Sequence, residues 1–202
     1  IRCSLFSFRM LFNRHDFLNL PERTGSAGRE TVGGMESAKE SYVVFDLEAS
    51  GLHAWYGDRV TCICALDSQG ERFQRASEDE REIVLSFLDW LEKRSPEDTV
   101  LVTKNGKQFD VPFILSRMVL RDMGRPDQGR ILLKYEHEDL HEITSRWVTL
   151  SDMATLLKCQ PKSGTGEDAI RLYEEKRFQE LSAYCMQDVL TTEEVFRKRR
   201  RL

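Results

Sequence analysis

Residues 42–51 read Tyr42-Val43-Val44-Phe45-Asp46-Leu47-Glu48-Ala49-Ser50-Gly51. The first four are apolar and β-prone, and Gly51 ends the run, so we expect a buried strand that continues through Glu48. A strand places Asp46 and Glu48 side by side on one face. Two carboxylates at the end of a hydrophobic strand repel each other and lose hydration, so either their pKa values rise or a cation binds them. A strand that ends at the surface with two solvated acids gives the same pattern, and this stretch alone leaves both interpretations open.

The rest of the chain predicts strands first and then strands that alternate with helices. Residues 59–66 and 71–76 are predicted to form a β-hairpin around the turn 67–70, followed by a helix that has a capping box at residues 77–80 and runs to about residue 94. A strand at 100–102 and a helix that begins near Pro112 and ends before Gly124 come next. The final predicted helix runs from about 177 to 199, and its apolar stripe consists of Leu181, Cys185, Val189 and Phe196. This order indicates an α/β domain in which helices flank a mixed β-sheet.

Two further polar clusters follow the predicted strand of Asp46. In residues 103–113 the pair Asn105-Gly106 is typical of a hairpin turn, but no alternating strand follows, so we expect a loop from a strand to a helix. Asp110 would stand at or near the N-cap of that helix, where a purely capping role is the alternative. Tyr184 and Asp188 are four residues apart and therefore neighbours on one helix face, beside the apolar stripe. An ordinary hydrogen bond at the edge of the core would also explain the tyrosine.

In this order the three clusters resemble the DEDD superfamily of 3′–5′ exonucleases, which share a ribonuclease-H-like fold. Residues 45–51 look like the first motif of that superfamily, residues 105–113 like the second, and Tyr184-x-x-x-Asp188 like the third. The resemblance spans residues 42–196. The tyrosine at 184, with Ala183 where the histidine branch carries His, resembles the tyrosine branch.

The stretch from Lys162 to Tyr173 is similar to stand-alone relatives of the proofreading domain of family B DNA polymerases, in which a Gly-rich loop precedes the last helices. Two positions depart from the pattern. Ala49 replaces the usual Thr, and Lys104 stands where an aromatic residue is frequent. Neither change removes a carboxylate, but both affect what can be inferred about substrate contacts.

The resemblance implies a metal-dependent exonuclease that hydrolyses single-stranded DNA, or RNA, from the 3′ end. It implies two divalent cations, Mg²⁺ or Mn²⁺, and oxygen ligands suit such hard ions. Tyr184 would orient the attacking water. The implied metal ligands are Asp46, Glu48, Asp110 and Asp188, and the implied substrate contacts are Leu52, Asn105 and Phe109. The alternatives are a ribonuclease-H-like module that binds nucleic acid without turnover, and an endonuclease on the same fold.

Composition sets the remaining expectations. The chain has 202 residues, 30 Lys and Arg against 34 Asp and Glu, and a formal net charge of -4. This balance argues against coating nucleic acid by bulk charge, and no apolar run approaches the ~18–20 residues that span a bilayer. Five scattered cysteines are no disulfide framework, so we expect a reducing, cytoplasmic setting. Residues 1–40 are predicted to be an extension, and residues 41–202 the nuclease domain.

Three smaller patterns admit two interpretations each. Cys62 and Cys64 share one strand face and could bind zinc, but no second Cys or His pair follows, so core packing is expected. His137 and His141 are four apart and could bind a metal, although exposure among neighbouring glutamates is expected. The basic residues 197–201 could contact a nucleic acid backbone or simply complement the C-terminus of the last helix.

Overall fold

The computed structural model describes residues 41–124, 126–144, 146–160 and 164–201. The predicted extension of residues 1–40 lies outside them. Five strands form one sheet in the order β3-β2-β1-β4-β5. Their bounds are Ser41–Ala49 for β1, Val60–Asp67 for β2, Arg72–Ala76 for β3, Thr99–Thr103 for β4 and Glu136–Asp139 for β5.

The sheet is mixed, as predicted. Strand β1 pairs antiparallel with β2 and parallel with β4, and β4 pairs parallel with β5. Strands β2 and β3 form the predicted hairpin. Its turn is held by Asp67, whose Oδ1 accepts hydrogen bonds from the backbone N–H groups of Gln69 and Glu71. Gly70 takes a left-handed φ of 89° there, which glycine adopts without steric cost.

Helices cover both faces of the sheet. Their bounds are Glu80–Leu91 for α1, Asp110–Leu120 for α2, Pro126–Gly129 for α3, Leu150–Leu156 for α4, Gly166–Glu174 for α5 and Phe178–Arg199 for α6. Alternate residues of β1 enter two different cores, because a strand turns successive side chains to opposite faces. Val43 and Phe45 pack in the core that includes α1 and α2, whereas Val44 packs in the core that includes α6. The α/β prediction is therefore confirmed.

The start of α1 differs from the predicted capping box. The N-cap is Asp79, whose side chain accepts a hydrogen bond from the backbone N–H of Glu82. Glu80 is buried instead and forms an ion pair with Arg117, so its carboxylate is not available to cap the helix. Helix α1 also ends at Leu91, earlier than the predicted residue 94.

The final helix matches its prediction closely, and Leu181, Cys185, Val189 and Phe196 are all buried. By contrast, β5, α4 and α5 were not identified as separate elements in the sequence. Within the described residues, no helix combines the length and the apolarity needed to cross a membrane. Cys62, Cys64, Cys159 and Cys185 are free thiols.

Candidate active site

The end of β1 brings two carboxylates together. Oxygens of Asp46 and Glu48 and the Sγ atom of Cys185 all lie within 4.8 Å of one another. Both acids are half-buried, and they lie opposite Cys64 and Cys62 in the register of β1 with β2. The pairing shifts between Glu48 and Ala49, which marks the point where β1 leaves the regular ladder. The predicted arrangement of the two acids on one face is thus present.

Helix α6 packs directly behind this acid pair. The thiol of Cys185 lies 3.4 Å from the backbone oxygen of Asp46 and 3.9 Å from its Oδ2. Asp188 follows three residues later, on the same side of the helix, and only 5% of it is exposed. Tyr184 precedes Cys185 by one residue and packs at the edge of the α6 core. The contact between Cys185 and Asp46 therefore brings the third sequence cluster to the end of β1.

The ring of Tyr184 has a close backbone neighbour in Gly164. A Cβ atom at position 164 would lie 3.0 Å from Cε2 of Tyr184, and Gly164 has a φ of +81°. Both the contact and the conformation favour glycine at this position. Gly164 comes just before α5, so the Gly-rich segment identified in the sequence bears on the position of the tyrosine ring.

Asp110 contacts the backbone of β1 between the two acids. Its Oδ1 accepts a hydrogen bond of 3.1 Å from the backbone N–H of Leu47, the residue between Asp46 and Glu48. Asp110 is the first residue of α2, whereas the N-cap is Phe109, which contributes no side-chain cap. The carboxylate is buried, and burial raises its pKa to about 7 despite the hydrogen bond from Leu47, with Asp139 adding to the rise. Asp110 thus has a role at the end of β1 that capping does not explain.

The loop between β4 and α2 is organised by a carboxylate that the sequence did not indicate. Asp139, at the end of β5, accepts hydrogen bonds from the backbone N–H groups of Asn105 at 2.6 Å and of Lys107 at 2.9 Å. Asn105 has a left-handed φ of 70°, which asparagine tolerates better than most residues. This loop leads from a strand into a helix, as predicted. Asp139 was missed because β5 is short and polar.

A groove of about 520 Å³ opens beside the acid pair. Its lining includes Glu48, Leu52, Phe109, Thr165 and Ile170. Leu52 is 74% exposed and Phe109 is half-buried, so two of the three residues predicted to contact substrate share this groove with a proposed metal ligand. Asn105 does not line it.

A second hollow of about 250 Å³ extends from the first, because Leu52 and Phe109 line both. It adds Trp55 and Tyr56, which are 63% and 90% exposed. Sequence reasoning missed these two aromatic residues. Their signal was present as adjacent aromatic side chains in an otherwise polar segment close to the first motif.

The residues at the end of β1 suit a hard divalent cation. Asp46 and Glu48 offer carboxylate oxygens close enough to bind one ion, and oxygen ligands are what Mg²⁺ and Mn²⁺ prefer. Asp110 adds a buried carboxylate whose raised pKa shows that the fold does not stabilise its charge. These acids would hold the metal, and the neutral thiol of Cys185 would be a poor ligand for such an ion.

The histidine at position 137 and the basic tail of residues 197–201 both make contacts within the fold. His137 is not exposed as expected, because it lies beside Oγ1 of Thr103 at 2.7 Å, and burial lowers its pKa to about 4. In the basic tail, Arg197 forms an ion pair with Glu193. Nζ of Lys198 donates hydrogen bonds to the backbone oxygens of Leu157 and Lys158, which supports a structural role for at least part of the tail.

A mixed five-stranded sheet with the order β3-β2-β1-β4-β5, helices on both faces and acids at the end of its central strand defines a ribonuclease-H-like α/β domain. A family model of the RNase_H superfamily matches residues 43–199, and the chain belongs to that superfamily.

Among solved structures, the chain is similar to the family B DNA polymerase from the hyperthermophilic archaeon Pyrobaculum calidifontis, with a TM-score of 0.66 and 17% sequence identity. The similarity covers 78% of this chain and 24% of the polymerase chain, so the protein corresponds to about a quarter of that enzyme. At this identity the likeness concerns the fold. A search of curated proteins finds no match.

Proposed function

We propose that the protein is a metal-dependent 3′–5′ exonuclease of the tyrosine branch that acts on single-stranded DNA, with RNA as the alternative substrate. The observation that carries the proposal is the convergence of Asp46 and Glu48 at the end of β1, with α6 held against them through Cys185. The resemblance of the three motifs supplies the polarity and the exonucleolytic mode. The superfamily and the fold support phosphodiester chemistry in general.

In the proposed mechanism, Asp46, Glu48 and Asp188 would hold one divalent cation, and Asp46 and Asp110 would hold the second. When bound, such cations would supply Lewis acidity to the phosphodiester and lower the pKa of water. The chain's own residues keep the carboxylates in place: Leu47 fixes Asp110 through its backbone N–H, and the packing of α6 against β1 fixes Asp188. Tyr184 orients the attacking water by a hydrogen bond, since a phenol with an ordinary pKa of about 10 is a weak base at neutral pH.

The groove beside the acid pair accommodates the 3′ end of the strand in this proposal. Leu52 and Phe109 offer apolar contacts to the terminal bases, and Trp55 and Tyr56 extend that surface away from the acids. Aromatic stacking tolerates any base, because every base has a π-face, which suits a nuclease without sequence preference. Asn105 remains a proposed contact to the terminal nucleotide on the strength of the motif alone.

The proposal is tested by Mn²⁺-dependent digestion of matched 3′-labelled, 5′-labelled and circular single strands of DNA and RNA. We expect mononucleotides to be released first from the 3′ label, no cleavage of the circle, and no activity in a chelator. Asp46→Asn and Asp188→Asn should abolish release. Asp89→Asn, a matched control at an exposed position of α1 where Asp89 accepts a hydrogen bond from Gln128, should retain it.

Each other outcome identifies an alternative. Cleavage of the circular strand would indicate an endonuclease, and binding of a 3′ end without turnover would indicate a nucleic-acid-binding module. Full activity of both Asp46→Asn and Asp188→Asn would contradict the proposed site.

A further inference from the structure

Three cysteine thiols meet directly behind the acid pair. Cys62 and Cys64 lie on β2, Cys185 lies on α6, and all three are completely buried. Their Sγ atoms all lie within 4.8 Å of one another. The sequence showed only the pair on β2, and the third thiol comes from a helix more than 100 residues further along the chain. This contact changes the interpretation of the pair.

The spacing of the thiols suits a tetrahedral metal. The Sγ atoms of Cys62 and Cys64 are 3.8 Å apart. Two sulfurs bound to one tetrahedral zinc at about 2.3 Å each are about 3.8 Å apart, so this pair already has the separation that zinc requires. Cys185 closes the triangle from the opposite side, and three thiol ligands from two packed elements form a preorganised set.

A carboxylate lies next to one of the three thiols. Oδ2 of Asp46 is 3.9 Å from Sγ of Cys185, and Asp46 is half-buried, so its carboxylate joins the thiol cluster to the solvent-accessible acid pair. The fourth described cysteine, Cys159, is buried elsewhere, with its Sγ 3.9 Å from the backbone oxygen of Leu157.

We propose that Cys62, Cys64 and Cys185 form a binding site for a soft divalent cation, zinc or cadmium, that adjoins the hard-cation site through the contact of Cys185 with Asp46. Soft thiolate ligands select such metals, whereas carboxylates alone suit Mg²⁺ and Mn²⁺. Binding replaces the three thiol protons by the metal, and the protons pass to the solvent. The contact of Cys185 with Asp46 places such an ion next to the carboxylate that we propose as a ligand of the hard cation.

The first test uses the metal-free, reduced full-length chain and cadmium alone. We expect an ultraviolet sulfur-to-cadmium charge-transfer absorption that saturates at one ion per chain. X-ray absorption of the zinc-loaded chain should show three sulfur ligands at about 2.3 Å. The absence of the charge-transfer band, or a zinc shell of oxygen and nitrogen alone, would overturn the proposal.

The second test assigns the sulfurs. Cys185→Ser should lose the one-to-one charge-transfer band, and Cys159→Ser, a buried cysteine outside the cluster, should keep it. Circular dichroism checks the fold of each variant, and Cys64→Ser replaces Cys185→Ser if that protein does not fold. A band that survives in both cluster variants would refute the assignment. Because the readout is spectroscopic, it is independent of nuclease activity, and failure of the proposed function leaves this test intact.

Discussion

Two buried carboxylates occupy the same position in two different helices and have opposite surroundings. Glu80 is the first residue of α1 and Asp110 is the first residue of α2. Glu80 accepts hydrogen bonds of 2.8 Å from Nε and Nη2 of Arg117 and from the backbone N–H of Val60. Asp110 accepts one hydrogen bond from Leu47, and among the described residues no Lys or Arg forms an ion pair with it.

The difference in charge compensation distinguishes Glu80, a structural acid, from Asp110, an acid suited to bind a cation. A buried charge must be paired and hydrogen-bonded, or its pKa shifts until it is neutral. Glu80 has its cation within the fold, and its hydrogen bonds raise the pKa of Arg117. Asp110 has none, and burial raises its pKa to about 7. The acid that the fold leaves uncompensated is the one next to Asp46 and Glu48, where an external divalent cation would offset its charge.

Breaking the ion pair should have the largest effect. Arg117→Leu leaves Glu80 buried without its cation and removes the hydrogen bond from Nη1 to the backbone oxygen of Ala54. We expect a loss of about 3–5 kcal/mol in the free energy of unfolding, measured by urea titration at pH 7.5. The double variant with Glu80→Gln should recover part of this loss, because it removes the uncompensated charge. A loss below about 1 kcal/mol would show that the pair is not needed.

Asp110→Asn should stabilise the protein at neutral pH, whereas Arg117→Leu should destabilise it. The pKa of Asp110 rises from an ordinary 3.8 to about 7 in the folded state, so the folded protein binds the proton more tightly than the unfolded chain. The free energy of unfolding of the wild type therefore falls as the pH rises from about 4 to about 7. Above pH 7 this loss of stability stays constant. Asparagine carries no charge and keeps an oxygen for the N–H of Leu47.

In a chelator, the variant should be more stable at pH 8 by up to about 4 kcal/mol, and the gain should vanish near pH 4. Urea unfolding of both proteins at four or five pH values measures this difference. Equal stabilities at pH 8 would mean that the carboxylate is compensated in the native protein.

Added Mn²⁺ should offset the uncompensated charge of Asp110 and so reduce its difference from the ion-paired Glu80. Metal bound at the proposed site, where Asp46 and Asp110 are ligands, would stabilise the folded wild type by about 2.7 kcal/mol at a concentration 100 times its Kd. We expect a rise in the thermal midpoint of the wild type, and a much smaller rise for Asp110→Asn or Asp46→Asn. The double variant of Glu80 and Arg117 should respond as the wild type does. An undiminished response of Asp46→Asn would place the metal elsewhere.

The features predicted from sequence are those coded by local pattern. The period of two in β1 placed Asp46 and Glu48 on one face, and the apolar stripe of α6 identified its buried side. Strand β5 is not predicted from the sequence because residues 136–139 are all polar, and the burial of Asp139 depends on partners in a distant loop. The contact of Cys185 with Asp46 joins residues 139 positions apart, so no local pattern could indicate it. Arg117, the ion-pair partner of Glu80, is also distant in the sequence, so the local pattern around Glu80 indicates a helix cap and not an ion pair.

His137, a half-buried ionisable group, should give the smallest effect on stability, with a pH dependence opposite to that of Asp110. Burial lowers the pKa of His137 from 6.5 to about 4, so below pH 6.5 the unfolded chain takes up a proton that the folded protein does not. The contribution of His137 to stability is complete above pH 6.5 and is lost as the pH falls towards 4. His137→Gln should remove this loss, and since the ring is only partly shielded from solvent we expect about 2 kcal/mol between pH 8 and pH 4. Urea unfolding at both pH values measures the difference. An identical pH dependence in wild type and variant would show that the ring beside Thr103 is protonated in the folded state, and the neighbourhood of β5 would then accept a charge that the site of Asp110 does not.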